Sequence, residues 1–439
     1  MKDILQMAEQ IRQQIIADRR YLHQHPEIGM DLPQTCAYVK KRLDEMHIPW
    51  QDRIQPVPEK VTRDFIEAGF PKMERATGVT ALIGHGKPCI LLRADIDALP
   101  IAEDNDLSFR SENGCSHMCG HDSHGAMLLG AAALLKSMES ELCGTVKLLF
   151  QPGEETGAGA RYMVENGILE NPHVDAALGI HIHGNKPEGQ VTYSKGVNSA
   201  SLDTFIVNIR GKGGHSSAPH ECVDPLMIMN QLYQAVNLLA AREVDPEAMV
   251  ALTCGVAKGG TAVNIIPETA QLQIGVRTLD VKSRKHLLER IPQIIDAYVK
   301  AWRGDYELTC FHTPNTYSDD EFCDALLPYI REVVGPDNVI AAPPMKATED
   351  FGYITEQVPG MYLSLGDGEA DWAPMHNPRM MLKEEAFAKG AAIYANCAAE
   401  WLRLQAKNSP KSQNDKNIPN VENGGNLNPG QEEIKNERT

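Results

Sequence analysis

The sequence is short of basic charge: 42 lysines and arginines stand against 59 acidic residues, a net charge of −17. A surface of that sign disfavours nucleic acid and anionic lipid as partners, since both need basic patches. No run of about 18 uncharged apolar residues occurs, so no segment reads as a membrane-spanning helix. The N-terminal stretch MKDILQMAEQIRQQIIADRR lacks the apolar core of a signal peptide. Its Ile4, Ala8, Ile11 and Ile15 instead share one stripe of an amphipathic helix. Ten cysteines are scattered from Cys36 to Cys397 without framework spacing, which favours reduced thiols and a cytoplasmic setting. Internal repeats and a phosphate-binding glycine loop are also missing.

What is there is enough for two domains: 439 residues, 42% of them hydrophobic. From Pro88 to Pro187, strands at Cys89 to Leu92, Val146 to Phe150 and Ala176 to His183 alternate with an Ala- and Leu-rich helix from Gly125 to Met138. That rhythm predicts an α/β fold with a mainly parallel sheet flanked by helices. After Gly189 the order becomes β-α-β-β-α-β, from a strand at Asp203 to Arg210 through to a last strand near Tyr306 to Phe311. This is the ferredoxin-like arrangement, with both helices on one face of a four-stranded sheet. The α/β pattern then resumes with a strand at Gly360 to Leu365 and a helix from Glu384 to Leu404. The expected organisation is a discontinuous catalytic domain over 1–188 and 312–405, with an inserted lid or dimerisation domain over 189–311. A disordered tail follows over 406–439, where almost nothing apolar remains. Gln55 to Arg75 reads as a surface excursion with one short helix around Asp64 to Ala68.

Polar groups gather where strands should end. Cys115-Ser-His117-Met-Cys119-Gly-His121-Asp122-Ser-His124 leads into the Gly125 helix, and Gln151-Pro-Gly-Glu154-Glu155 follows the VKLLF strand. Gly179-Ile-His181-Ile-His183 closes the AALG strand, and Pro374-Met-His376-Asn-Pro378 follows GMYLSL. Ligands of open α/β sheets sit outside the carboxyl ends of the strands, where these four segments would converge. Thiolate, imidazole and carboxylate together suit zinc first, and also manganese, cobalt or nickel. A closed zinc knuckle is the blander reading of Cys115 to His124, but it has no need of Glu154 and Glu155 beside it.

HMCGHDSH, FQPGEE, GIH and MHNP resemble metallopeptidase family twenty, in its aminoacylase and hippurate hydrolase branch. RRYLHQHPEIG, RADIDALP, GKGGHSSAPH, GGTAVNIIP and TEDF extend the resemblance from about residue 17 to residue 400. The resemblance implies that Cys119, His121, Glu155, His181 and His376 bind two divalent transition-metal ions, with Asp97 orienting a ligand. It makes Glu154 the general base for attack by metal-bound hydroxide on an N-acyl amino acid. It also implies that His215 stabilises the substrate carbonyl oxygen, across a homodimer contact, and that Asn264 and Arg277 hold the substrate carboxylate.

The residues themselves support these roles unevenly. Consecutive Glu154 and Glu155 would point opposite ways on extended backbone, so one could ligate while the other stays free, in either order. His181 and His183 share a strand face, and spacing alone does not choose between them. A solvated arginine or a plain loop histidine would look the same as Arg277 or His215. Where the resemblance leads one to expect Met-His-Ala-Cys, this chain has Ser116-His117-Met118-Cys119, and His183 stands where an aromatic is common. A dipeptidase on the same centre is the alternative enzyme, and a non-catalytic metal-binding scaffold the alternative outside enzymes; an intact Glu154 argues against the second.

Overall fold

The computed structural model describes residues 3–59, 62, 63, 66 and 72–408. Its main sheet has eight strands, in the order Trp50–Asp52, Val79–Gly84, Thr145–Gln151, Cys89–Asp95, Ala176–Pro187, Gly360–Gly368, Val191–Tyr193 and Val339–Ala341. The four central strands run parallel to one another. Antiparallel neighbours, Val79–Gly84 and Val191–Tyr193, close the parallel core on either side. Cys89–Asp95 and Thr145–Gln151 are buried along their whole length, because helices cover both faces. Ile90 and Leu92 pack with the helices His121–Ser137 and Phe387–Asn408, while Cys89 and Leu91 face a second apolar layer with Tyr162 and Phe351.

A second sheet runs Val250–Gly259, Thr269–Thr278, Ser201–Arg210, Asp305–Thr313, antiparallel throughout. Helices Pro225–Arg242 and Val281–Ala301 cover one of its faces, on Phe205, Val207, Leu272, Ile274 and Val276. Alternation along the strands turns the next residues the other way. Leu202 pairs with both Arg277 and Thr313, and Thr204 with Phe311, so these side chains share the helix-free face.

Several boundaries differ from the sequence reading. The expected N-terminal helix is two, Ile4–Gln10 and Arg12–Gln24, separated at Ile11 (φ −103°, ψ 5°). The helix expected from Gly125 begins at His121, since its first turn is polar and invisible to apolar periodicity. Gln55–Pro56 pairs with Arg75–Ala76 at the base of the excursion; of the helix expected over Asp64 to Ala68 only Ile66 is among the described residues, and tail residues 409–439 lie outside them. No helix among the described residues is long and apolar enough to cross a membrane.

Candidate active site

Gly120 sets the first group of donors. Its φ of 91° is one that a residue with a side chain rarely adopts, and a Cβ there would lie 2.5 Å from Ile182 Cγ2. That close approach brings the start of the His121–Ser137 helix against the Ala176–Pro187 strand. Cys119 Sγ consequently lies 3.5 Å from His181 Nε2. His181 Nδ1 is 2.7 Å from the Ile182 carbonyl. His121 Nδ1 faces the Asp97 carbonyl at 3.0 Å and its carboxylate at 3.2 Å. In both rings Nδ1 faces an oxygen acceptor, so Nε2 is the atom left to meet a ligand.

Glu154 and Glu155 occupy a 3₁₀ turn, Glu154–Thr156, between Gly153 and Gly157 at φ 71° and 68°. The backbone is therefore not extended, and the alternation considered from sequence does not apply. The turn is forced by packing: a Cβ on Gly159 would sit 1.8 Å from the Pro152 carbonyl oxygen. The two side chains still part. Glu155 N donates to Asp97 Oδ2 (3.1 Å), and Glu155 Oε1 is 3.4 Å from His376 Nε2. Glu154 turns towards His121 Nε2, at 3.9 Å, and towards Glu349 and Asp350. His376 holds a left-handed φ of 64°, fixed by its N–H donating to the Met118 carbonyl (2.7 Å).

Of the groups of donor atoms that result, two triads share Cys119, one with His121 and His181 and one with Glu155 and His376, and a further group joins Glu154 to His121 and Glu155. Within each triad the atoms lie within 4.8 Å of one another, and Cys119 belongs to both. His121 Nε2 and Glu155 Oε1 are buried with no hydrogen-bond partner among the described residues, a costly state without a cation to satisfy them. The donor set and these orphaned atoms fit a pair of neighbouring divalent ions. Burial pushes the Cys119 thiol well up and the His181 imidazolium well down. His181 is thus neutral, as a ligand must be, and the thiolate needs adjacent positive charge. Burial, then the nearby Glu349, Glu155 and Asp350, pushes the Glu154 carboxyl well above the usual range. Glu155 goes the other way, because His376 and His121 outweigh its burial.

A buried polar frame stands behind these donors, and sequence reading passed over most of it. Arg93 donates to Gln151 (2.9 Å), Asp95 (2.8 Å) and Asp350 (2.6 Å) and pairs with Glu349 (3.0 Å). Glu349 also accepts from the Tyr362 hydroxyl. His124 accepts from Ile182 N–H (2.9 Å) and faces Asp95 on its other side. It therefore braces the strand that carries His181; its i, i+3 spacing from His121 was the available signal. His183 Nε2 meets the Ser364 hydroxyl (3.1 Å), with its ring 5.0 Å from that of His181.

Above the donors is a cavity of about 540 Å³. Glu154, Glu155, His181 and His376 line one side, and Leu202, Thr204, Arg277 and Phe311 of the second sheet line the other. Arg277 is brought to the site, with Nη1 donating to Thr348 Oγ1 (2.5 Å). His215 and Asn264 are not. Their segments come together at an exposed tip, where Gly214–His215 pairs with Ile265–Ile266 and Ser216 N–H donates to the Asn264 carbonyl (3.2 Å).

Comparison with known proteins places this geometry. The profile of peptidase family M20/M25/M40 matches residues 91–400. An N-acetyl-L-cysteine deacetylase of Bacillus subtilis is 36% identical over 401 residues, covering 89% of each chain. An IAA-amino acid hydrolase of Arabidopsis thaliana is 32% identical, covering 90% of this chain and 88% of its own. A solved Bacillus subtilis structure, described as a dinuclear metal binding peptidase of the M20 family, superposes with a TM-score of 0.69 at 30% identity, covering 90% of this chain and 99% of that one. With the donors, the cavity and these relatives in agreement, the chain belongs to peptidase family M20/M25/M40 and is a hydrolase acting on amide bonds.

Proposed function

We propose that the protein removes an acyl group from the nitrogen of an amino acid, with Cys119, His121, Glu155, His181 and His376 holding two divalent ions, zinc first among the metals that suit them. The observation that carries this reading is a cavity with two donor triads on one side and Arg277, free of any acidic partner among the described residues, on the other. Such ions would supply Lewis-acid polarisation of the scissile carbonyl and a more acidic water. Asp97 holds His121 and the Glu155 backbone in register. Glu154, whose carboxyl is pushed up, takes the proton of the attacking water and delivers it to the leaving nitrogen. Arg277 binds the carboxylate of the amino-acid half. The names of the relatives, a deacetylase of N-acetyl-L-cysteine and an IAA-amino acid hydrolase, support the same substrate class.

His215 and Asn264 stand outside this chain's own cavity, beside Val263 and Ile265, which are 100% and 50% exposed. An exposed apolar tip carrying polar groups suits docking against another surface, and we assign it to the active site of a second copy in a homodimer. There His215 would reach the substrate carbonyl oxygen and Asn264 the carboxylate.

The deciding experiment is a release assay over N-acetyl, N-benzoyl and long-chain acyl amino acids, with dipeptides and carboxamide analogues as controls. Free carboxylates should exceed their amides by about ten- to a hundred-fold in kcat/KM, the worth of one charge-assisted pair. Cleavage confined to dipeptides with a free amino group would make the enzyme a dipeptidase instead.

A further inference from the structure

In this acidic chain, exposed cations commonly find carboxylates: Lys195 meets Asp324, Lys383 meets Glu369, and Arg290 meets Glu243. Two cations lining the cavity do not. Arg277 donates only to the Thr348 hydroxyl, and Lys346 has neither hydrogen bond nor ion pair among the described residues. The acids nearest to Lys346 in sequence are already committed, since Glu349 and Asp350 both pair with Arg93.

The backbone under Lys346 is held on both sides. Met345 N–H donates to the Asn198 carbonyl (2.7 Å), and Ala200 N–H donates to the Ala347 carbonyl (3.0 Å). Thr348, which anchors Arg277, is two residues further along the same wall, so its Cα lies within roughly 7 Å of that of Lys346. Two positive groups lining one cavity, one of them anchored to the segment that carries the other, match two negative groups on one half of the substrate. The remaining lining offers Leu202, Phe311, Met345 and Met375, which are apolar and suit the acyl half.

We propose that the amino acid released is dicarboxylic: the substrate is an N-acyl aspartate or glutamate, with its α-carboxylate on Arg277 and its side-chain carboxylate on Lys346. This deepens the amidohydrolase reading above and rests on it. Lys346 acts as a specificity-determining residue.

The test compares charged and neutral isosteres with metal-loaded enzyme: N-acetylglutamate against N-acetylglutamine, and N-acetylaspartate against N-acetylasparagine. A third pair, N-succinylalanine against N-acetylalanine, moves the second carboxylate to the acyl half. The charged member of the first two pairs should be preferred about ten-fold in kcat/KM. Lys346→Met should bring that ratio close to one, and Lys346→Glu should invert it. Each ratio is internal to one variant, so a partly unfolded preparation does not disturb it. Hydrolysis without charge preference, or a preference that survives Lys346→Met, overturns this inference alone. A Lys346-dependent preference seen only for the succinyl pair also overturns it, by placing the second charge on the acyl group. Failure to hydrolyse any of these amides, by enzyme that cleaves other N-acyl amino acids, overturns this inference alone, whereas failure on the N-benzoyl and long-chain acyl amino acids as well overturns the amidohydrolase reading with it.

Discussion

Cys119, His121 and His181 sit on buried backbone, at the meeting of a strand end and a helix start, with partners for both ring Nδ1 atoms. His215 and Asn264 sit on an exposed tip around a two-stranded pairing, and the His215 ring meets only its local neighbour Ser217 among the described residues (2.8 Å to the hydroxyl). Both groups come from motifs of the same resemblance. The difference teaches that the first group is organised by this chain's own fold, whereas the second is presented outwards and its chemistry depends on whatever meets it. Experiments that damage one region and read the other can break or sharpen that contrast.

The largest effect should come from Glu154. If it moves the proton while Glu155 ligates, Glu154→Gln will keep its metals and its substrate affinity and lose about 100- to 10,000-fold in turnover. Glu155→Gln should instead lower the metal bound per chain, as should Cys119→Ala, which removes the one donor common to both triads. Metal analysis beside single-turnover rates separates the two glutamates. Loss of metal from Glu154→Gln, with Glu155→Gln replete, would show that their roles are exchanged.

The tip should behave differently. His215→Ala is expected to lose about 100- to 1,000-fold, as removal of an oxyanion donor does, without losing metal. The sharper experiment mixes His215→Ala subunits with Glu154→Gln subunits. If His215 serves a partner's site, a mixed dimer holds one site with both groups intact. Equal mixing makes half the dimers mixed, so about a quarter of the wild-type activity should return. No recovery after proven subunit exchange would place His215 in its own subunit's site, or outside catalysis.

The same contrast explains what was legible in the sequence. Strand periodicity and strand–helix alternation fixed the central strands to within a few residues, because both report local burial on a regular backbone. Donor segments at strand ends were visible for the same reason. The turn at Glu154 was hidden, since it depends on the close packing of Gly159 against Pro152. Arg93 was hidden more deeply: Asp350, one of its partners, lies 257 positions away, and no local pattern announces a buried ion pair of that span. The tip residues were legible as motif members only, since an exposed histidine has no environment of its own to betray a task.

The smallest effect should fall on the frame that makes the first region self-sufficient. Strands Cys89–Asp95 and Ala176–Pro187 stop pairing after Arg93 and Gly179. Beyond that point the two strands are no longer paired, and His181 lies just past it. Two backbone groups would be orphaned there, and the Tyr394 hydroxyl takes up both, donating to the Arg93 carbonyl (2.7 Å) and accepting from the Ile180 N–H (3.0 Å). Tyr394→Phe keeps the ring and its packing while leaving both groups buried and unpaired. The loss of stability should be about 1–3 kcal/mol, read as a lower denaturant midpoint with an unchanged slope. His181 is one residue from Ile180, so metal affinity should weaken along with stability, whereas recovery in the mixed-subunit experiment should be untouched. A variant with wild-type stability and metal affinity would mean that the unpaired strand ends are held by something other than Tyr394, and that the first region's independence has another source.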